Sequence, residues 1–130
     1  MIAEIFVYGS LRPDASGVMG AGERVRLAAE ASVIGPGHVA GLLVDLGEYP
    51  GLLSGPGRVQ GLVYRMNDPI GTLAWLDAYE GVLGAIDDPY RRDVVDVWLA
   101  DGQLRVWTYI YLAPIVEGRL IFSGDWVNRG

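Results

Sequence analysis

The glutamate of LDAYEG, residues 76–81, stands where an acidic side chain is out of place. Ile70, Leu73 and Leu76 recur at helical spacing, and Glu80 falls on the same inward face. A carboxylate taken out of water without a partner tends to hold its proton, and the negative end of a helix pushes the same way. Both effects raise the pKa, which is what a glutamate needs to act as a base near neutral pH. The alternative is that the last helical turn frays and Glu80 points to water. A second stretch, IFVYGSL at residues 5–11, is an apolar strand that breaks at once into Gly9, Ser10 and Leu11. Such a break is either a plain connector or a nest of backbone N–H groups able to meet an oxygen that carries negative charge.

Other chemistries find less support. Ser10 has no G-x-S-x-G elbow around it, and the chain's one histidine, His38, follows Gly-Pro-Gly on a strand, where a structural role is expected. With one histidine and no cysteine, neither a transition-metal site nor a thiol nucleophile is expected. Gly35-Pro36-Gly37 has the wrong spacing for a dinucleotide loop, and no phosphate-binding loop ends in Gly-Lys-Ser/Thr. Tyr90 and Arg92 share one face of a strand, so Arg92 either grips a carboxylate in bidentate fashion or is a strand-edge charge.

The elements that must position Glu80 and the Gly9 turn follow from the pattern. IFVY reads as a strand buried on both faces. NDPIGTLAWLDAYEG reads as a helix capped by Asp68, with Pro69 in its first position and Gly81 as its stop. GPGHVAGLLV at 35–44 and GPGRVQGLVY at 55–64 are look-alikes, expected as two antiparallel strands each entered through a Gly-Pro-Gly turn. Gly41 and Gly61 inside them imply bends or close backbone approach, as in a small closed sheet. A turn-rich loop around Tyr49 and Pro50 separates the copies. Two more strands, YRRDVVDVWLA and QLRVWTYIYLA, are joined through Asp101-Gly102, and Tyr109 and Tyr111 face opposite to Ile110 and Leu112. The segment RVRLAAEASV is compatible with helix or strand, and Trp126 in the tail is expected to dock on the core. The outcome is one domain over residues 1–130, of α+β class: a small mixed β-barrel with packed helices.

Composition bounds the rest. The chain has 130 residues and 51% hydrophobic content, enough for a single core. Sixteen acids against ten arginines, with no lysine, give a formal charge of −6, which disfavours nucleic acid as a partner. No secretory pattern opens the chain and no apolar run is long enough for a membrane span, so a cytoplasmic, membrane-free protein is expected. The absence of cysteine fits a reducing compartment.

In order, VYGSL, YPG, LDAYEG, YRRDVV and SGDW resemble the gamma-glutamylcyclotransferase-like family over nearly the whole chain, most specifically at Tyr-Gly-Ser-Leu and Tyr-Glu-Gly. The resemblance implies a small β-barrel with helices around it and a small-molecule γ-glutamyl substrate. It assigns the acid/base role to Glu80 and substrate binding to Tyr8, Gly9, Ser10, Leu11, Tyr49, Tyr90 and Arg92. The reaction implied is attack of a γ-glutamyl compound's own α-amine on its γ-carbonyl, giving 5-oxoproline and a free amine, with no metal or cofactor. Two alternatives stay open: hydrolysis of the γ-glutamyl amide to glutamate, and a non-catalytic module that only binds a ligand or partner.

Overall fold

The computed structural model of the chain describes residues 1–114 and 119–129. Its elements run β1 (Glu4–Val7), α1 (Ala21–Glu30), β2 (Ala31–Asp45), β3 (Pro50–Met66), α2 (Pro69–Glu80), β4 (Tyr90–Leu99) and β5 (Gly102–Tyr111). The strands close into a barrel in the order β1-β3-β2-β4-β5. Neighbours are antiparallel except β1 and β5, which meet in parallel where Ile5 faces Trp107. The α+β class and the mixed barrel with packed helices are therefore as expected.

β1 is buried on both faces, and each face serves a different core. Phe6 and Tyr8 pack inside the barrel with valines of β2, β3, β4 and β5, and Trp126 from the tail docks there too. Ile5 and Val7 face outward, against Leu27 of α1 and Leu73 and Leu76 of α2. The same division holds on β5, where Tyr109 and Tyr111 belong to the outer cluster and Ile110 to the inner one.

α2 has the limits that its sequence predicts. The Asp68 carboxylate accepts from the Gly71 N–H at 3.2 Å, and Pro69 occupies the first turn. At the other end Gly81 is left-handed (φ 77), with its N–H on the Ala78 carbonyl and the Val82 N–H on that of Asp77. This pair of bonds is a Schellman closure, and it holds the last turn, Glu80 included, in the helix. Asp68→Ala removes the N-terminal acceptor and is expected to cost about 1 kcal/mol, read as a lowered urea midpoint at unchanged m. α1 is tied to α2 through Glu30, whose carboxylate accepts from Trp75 Nε1, Thr72 Oγ1 and Arg26 Nε at 2.8–2.9 Å. The Trp75 bond above all, with those of Arg26 and Thr72, holds the Glu30 pKa down to about 2.

Three local expectations are corrected, and one left open is resolved. The Gly-Pro-Gly copies do not serve as entry turns: both lie within the long, mutually paired strands β2 and β3. The first follows a bulge between Val33 and Gly35, and the second falls where the register jumps from Ala40–Arg58 to Leu42–Leu53. Ile70 is not on the buried stripe of α2, being 73% exposed, and Thr72 takes a buried place beside Leu73. The β4–β5 turn is Ala100-Asp101, with Gly102 (φ 146) already paired to Leu99. RVRLAAEASV divides: helix through Glu30, strand from Ala31. His38 faces Trp98 across β2–β4 and stacks on it with ring centroids 5.7 Å apart. No described helix is long and apolar enough to cross a membrane.

Candidate active site

A cavity of about 300 Å³ lies where β1 ends. Its wall brings together Tyr8, Gly9, Ser10 and Leu11 after β1, Tyr49 and Pro50 at the start of β3, Tyr79 to Gly81 at the end of α2, Pro89 and Tyr90 before and in β4, and Tyr109 of β5. Seven of the eight residues singled out in the sequence line it; Arg92 is the eighth.

Glu80 reaches this cavity because α2 runs its full length to the Gly81 stop. Its carboxyl makes no hydrogen bond or ion pair with any described residue. Three of the phenols around it are committed elsewhere: Tyr8 donates to the Tyr109 carbonyl at 2.6 Å, Tyr90 to the Pro50 carbonyl at 2.8 Å, and Tyr109 to Asp77 Oδ1 at 2.7 Å. Half-buried among apolar and aromatic groups and given no donor, the carboxyl is desolvated enough to have its pKa pushed up from 4.5 to about 7. The phenols respond in kind. Burial raises the pKa of Tyr8, Tyr79, Tyr90 and Tyr109, and the Glu80 charge adds to each.

The loop facing Glu80 is held from several sides. Arg12 closes a turn by donating its N–H to the Gly9 carbonyl at 3.0 Å. Arg12 is 8% exposed, and its guanidinium is clamped by Asp14 (2.7 and 3.0 Å) and by Asp125 of the SGDW segment (2.8 Å). Arg24 of α1 donates to the Ser10 carbonyl at 2.8 Å. Gly20, left-handed at φ 73, lets the chain pass under this loop: a Cβ there would stand 2.7 Å from the Tyr79 hydroxyl and 3.0 Å from Ser10 Oγ. Gly9 is as tight, since its Cβ would meet the Pro50 ring at 2.7 Å. Every one of these bonds uses a carbonyl of the loop or a side chain. The N–H groups of Gly9, Ser10 and Leu11 donate to no described residue, and all three residues line the cavity.

Arg92 does grip a carboxylate with two nitrogens, but the carboxylate is that of Asp77, at 2.8 and 3.2 Å, with the guanidinium 4.3 Å over the Trp107 ring. As the partner of a substrate carboxylate it is thus corrected: it ties α2 to β4 behind the cavity, and Tyr109 joins through the same Asp77 oxygen. Sequence reasoning missed Tyr79, Tyr109 and Asp77. The Tyr109–Tyr111 face of β5, turned toward the helices, was a usable signal for Tyr109; the Asp77–Arg92 pair spans 15 residues and an element boundary, with no local mark. Asp77→Ala leaves a partly buried guanidinium and a phenol without their acceptor. Allowing for an exposure of 23% on each partner of the ion pair, the expected cost is about 2 kcal/mol. Urea denaturation of Asp77→Ala, Arg92→Ala and the double variant checks it, the double losing little more than either single.

Among the described residues no cluster of three or more His, Cys, Asp or Glu could hold a metal ion. Comparison with known proteins matches one family model, gamma-glutamyl cyclotransferase, AIG2-like, over residues 5–128. Among solved structures, YtfP of Escherichia coli is 37% identical with a TM-score of 0.65, and the match covers 97% of both chains. An AIG2-like protein of Mus musculus is 23% identical with a TM-score of 0.71, covering 96% of this chain and 88% of that one. YkqA of Bacillus subtilis is also 23% identical, with a TM-score of 0.70; 97% of this chain matches but only 40% of YkqA. The last two likenesses speak for the fold alone. No curated protein sequence matches the chain.

Proposed function

The chain belongs to the gamma-glutamyl cyclotransferase, AIG2-like family, and from that premise we propose that it cyclises a γ-glutamyl amide to 5-oxoproline and a free amine, with Glu80 as the acid/base. The observation that carries this reading is the Glu80 carboxyl itself: half-buried, given no donor, raised to about 7, and lining the same cavity as Gly9, Ser10 and Leu11, whose N–H groups are uncommitted. A structural carboxylate in that position would be paired.

The chemistry follows from those groups. The substrate's α-amine arrives as ammonium and must lose a proton before it attacks its own γ-carbonyl. Glu80, half ionised near pH 7, takes that proton and can return it, the best compromise for a group that must do both. Attack forms the ring C–N bond and drives negative charge onto the carbonyl oxygen. The N–H groups of Gly9, Ser10 and Leu11 are the donors within the cavity wall that can meet it, each such donor typically worth about 3 kcal/mol. As the tetrahedral centre collapses, the old γ C–N bond breaks and the departing nitrogen takes the proton from Glu80. The α-nitrogen ends as a lactam N–H, and the leaving amine picks up the remaining proton in water. Tyr8, Tyr49, Tyr90 and Leu11 shape the apolar wall around these atoms.

The test is a product assay by mass spectrometry with purified protein and a panel of γ-glutamyl amides. Release of 5-oxoproline in step with the free amine is the expected result. Free glutamate without 5-oxoproline would replace cyclisation by hydrolysis. Binding of intact substrate with no product would reduce the protein to a binding module.

A further inference from the structure

Resting on that reading, we propose that Arg24 is a positioning residue of the reaction: it fixes the Ser10–Leu11 peptide so that the Leu11 N–H is turned toward the oxygen that gains charge. Arg24 stands near the start of α1, 14 residues from Ser10, and does not itself line the cavity, whereas Ser10 and Leu11 do. One of its terminal nitrogens donates to the Ser10 carbonyl at 2.8 Å and the other to the Gly17 carbonyl at 2.9 Å. The second bond holds the guanidinium plane, so the first has a set direction. A trans peptide is planar, with its C=O and N–H pointing opposite ways. The carbonyl that meets Arg24 therefore turns the Leu11 N–H away from α1, and that N–H has no acceptor among the described residues.

The wrong orientation is one rotation away. Gly9 to Arg12 form a β-turn closed by the Arg12 N–H on the Gly9 carbonyl at 3.0 Å, and Ser10–Leu11 is its central peptide. Type I and type II turns differ by a half-rotation of that peptide, and type II asks for a positive φ at the third residue, here Leu11. No described residue other than glycine has a positive φ, so Leu11 keeps the first arrangement. The half-rotation would point the Ser10 carbonyl into the cavity, against a developing oxyanion, and set an N–H against the guanidinium. Leu11 resists it sterically, and Arg24 adds a charge-assisted bond that only the productive form makes. The same bond polarises the peptide and makes the Leu11 N–H a stronger donor. Among the described residues Arg24 forms no ion pair, so no carboxylate weakens this pull. Its base is fixed as well: Leu27, one turn on, is fully buried in the outer core with Ile5, Val7 and Leu11.

Arg24→Met keeps the stem and removes the donor. With γ-glutamyl-methylamide and with γ-glutamyl-p-nitroanilide, kcat for 5-oxoproline release should fall about 10- to 100-fold, short of the loss from deleting a donor outright. KM should stay within about threefold, because the N–H is matched to the transition state. Both amides should respond alike, since they share the oxyanion and differ in the leaving nitrogen. Arg24→Lys, which can serve one carbonyl, should recover part of the loss. Arg26→Met, which removes an exposed partner of Glu30 from the same helix, should leave kcat unchanged. In the free Arg24→Met protein the Ser10 carbonyl carbon should move upfield by NMR while barrel resonances keep their places.

An unchanged kcat in Arg24→Met, or a raised KM with kcat kept, overturns this inference and leaves the cyclotransferase intact. A lost kcat with the Ser10 carbonyl resonance unmoved does the same. Folded unsubstituted protein that releases 5-oxoproline from neither amide overturns both.

Discussion

Glu80→Gln is expected to lower kcat/KM for 5-oxoproline release by about 10²- to 10⁴-fold, the usual contribution of a positioned acid/base. Glutamine keeps the size of the side chain but can neither take a proton from the α-ammonium nor hand one to the leaving nitrogen. In the unsubstituted protein the same assay should rise with pH through an apparent pKa near 7, where Glu80 gains its charge. The variant has no such limb. Stability moves the other way, which separates a catalytic carboxylate from a structural one. The Glu80 pKa is raised on folding, from 4.5 to about 7. Below pH 4.5 the carboxyl is neutral in both states. Between the two values the folded protein keeps a proton that the unfolded chain has released, so stability falls as pH rises through this window. Above pH 7 the full penalty of about 3 kcal/mol is in force. Glutamine carries no charge at any of these pH values, so Glu80→Gln should gain on the unsubstituted protein as urea denaturation is moved from pH 5 to pH 8. A loss of activity with no such crossing in stability would show that Glu80 is not the desolvated carboxyl described above.

What could be read from the sequence was mostly what is encoded within a few residues. α2 is one such case: Asp68, Pro69 and Gly81 mark its ends locally, and those limits place Glu80 in the last turn. β1 is another, because unbroken apolar alternation over IFVY has few solutions other than a strand covered on both sides. The Gly-Pro-Gly copies mislead for a complementary reason. Locally they are turn signals, but β2 and β3 pair with each other along most of their length and absorb them as bulges. A proline without an N–H is tolerated at such an irregularity, and the decision belongs to the partner strand. Arg92 fails likewise. Its alternation on β4 is legible, yet whether the carboxylate that it grips is a substrate's or Asp77's depends on how α2 crosses the barrel. Tyr8, Tyr90 and Tyr109 repeat the lesson at the site itself, since each phenol is fixed by an acceptor from a different part of the chain. The sequence pattern pointed to an anomalous glutamate; the absence of donors around it became visible only when those three acceptors were placed.

Gly61→Ala is expected to be the most damaging single methyl in the barrel wall. The sequence alone suggested close backbone approach at Gly61, and the structure locates it: a Cβ would press on the Val7 carbonyl oxygen, nearer than real Cβ atoms stand, and on the Phe6 ring at 2.5 and 2.7 Å. Neither neighbour can give cheaply. Phe6 is 1% exposed inside the barrel, and the Val7 carbonyl belongs to β1, whose Val7 is paired with Leu62. Overpacking of this kind costs about 3 kcal/mol, at the upper end of the usual range because backbone must move. The displaced strand leads directly into Tyr8 and Gly9, so the N–H groups that follow should shift with it, and a misplacement of about 1 Å in a catalytic group can cost about 100-fold in rate. Gly22→Ala is the control. It lies in α1, a Cβ there meets nothing within 4 Å, and exchange of glycine for alanine inside a helix stabilises by roughly 0.5–1 kcal/mol. Urea denaturation and 5-oxoproline release measured on both variants should therefore diverge in sign of stability, with activity lost only at Gly61. Equal, small effects at the two positions would mean that β1 is not held by contact with β3, and that the loop after it draws its geometry from Arg12 and Arg24 alone.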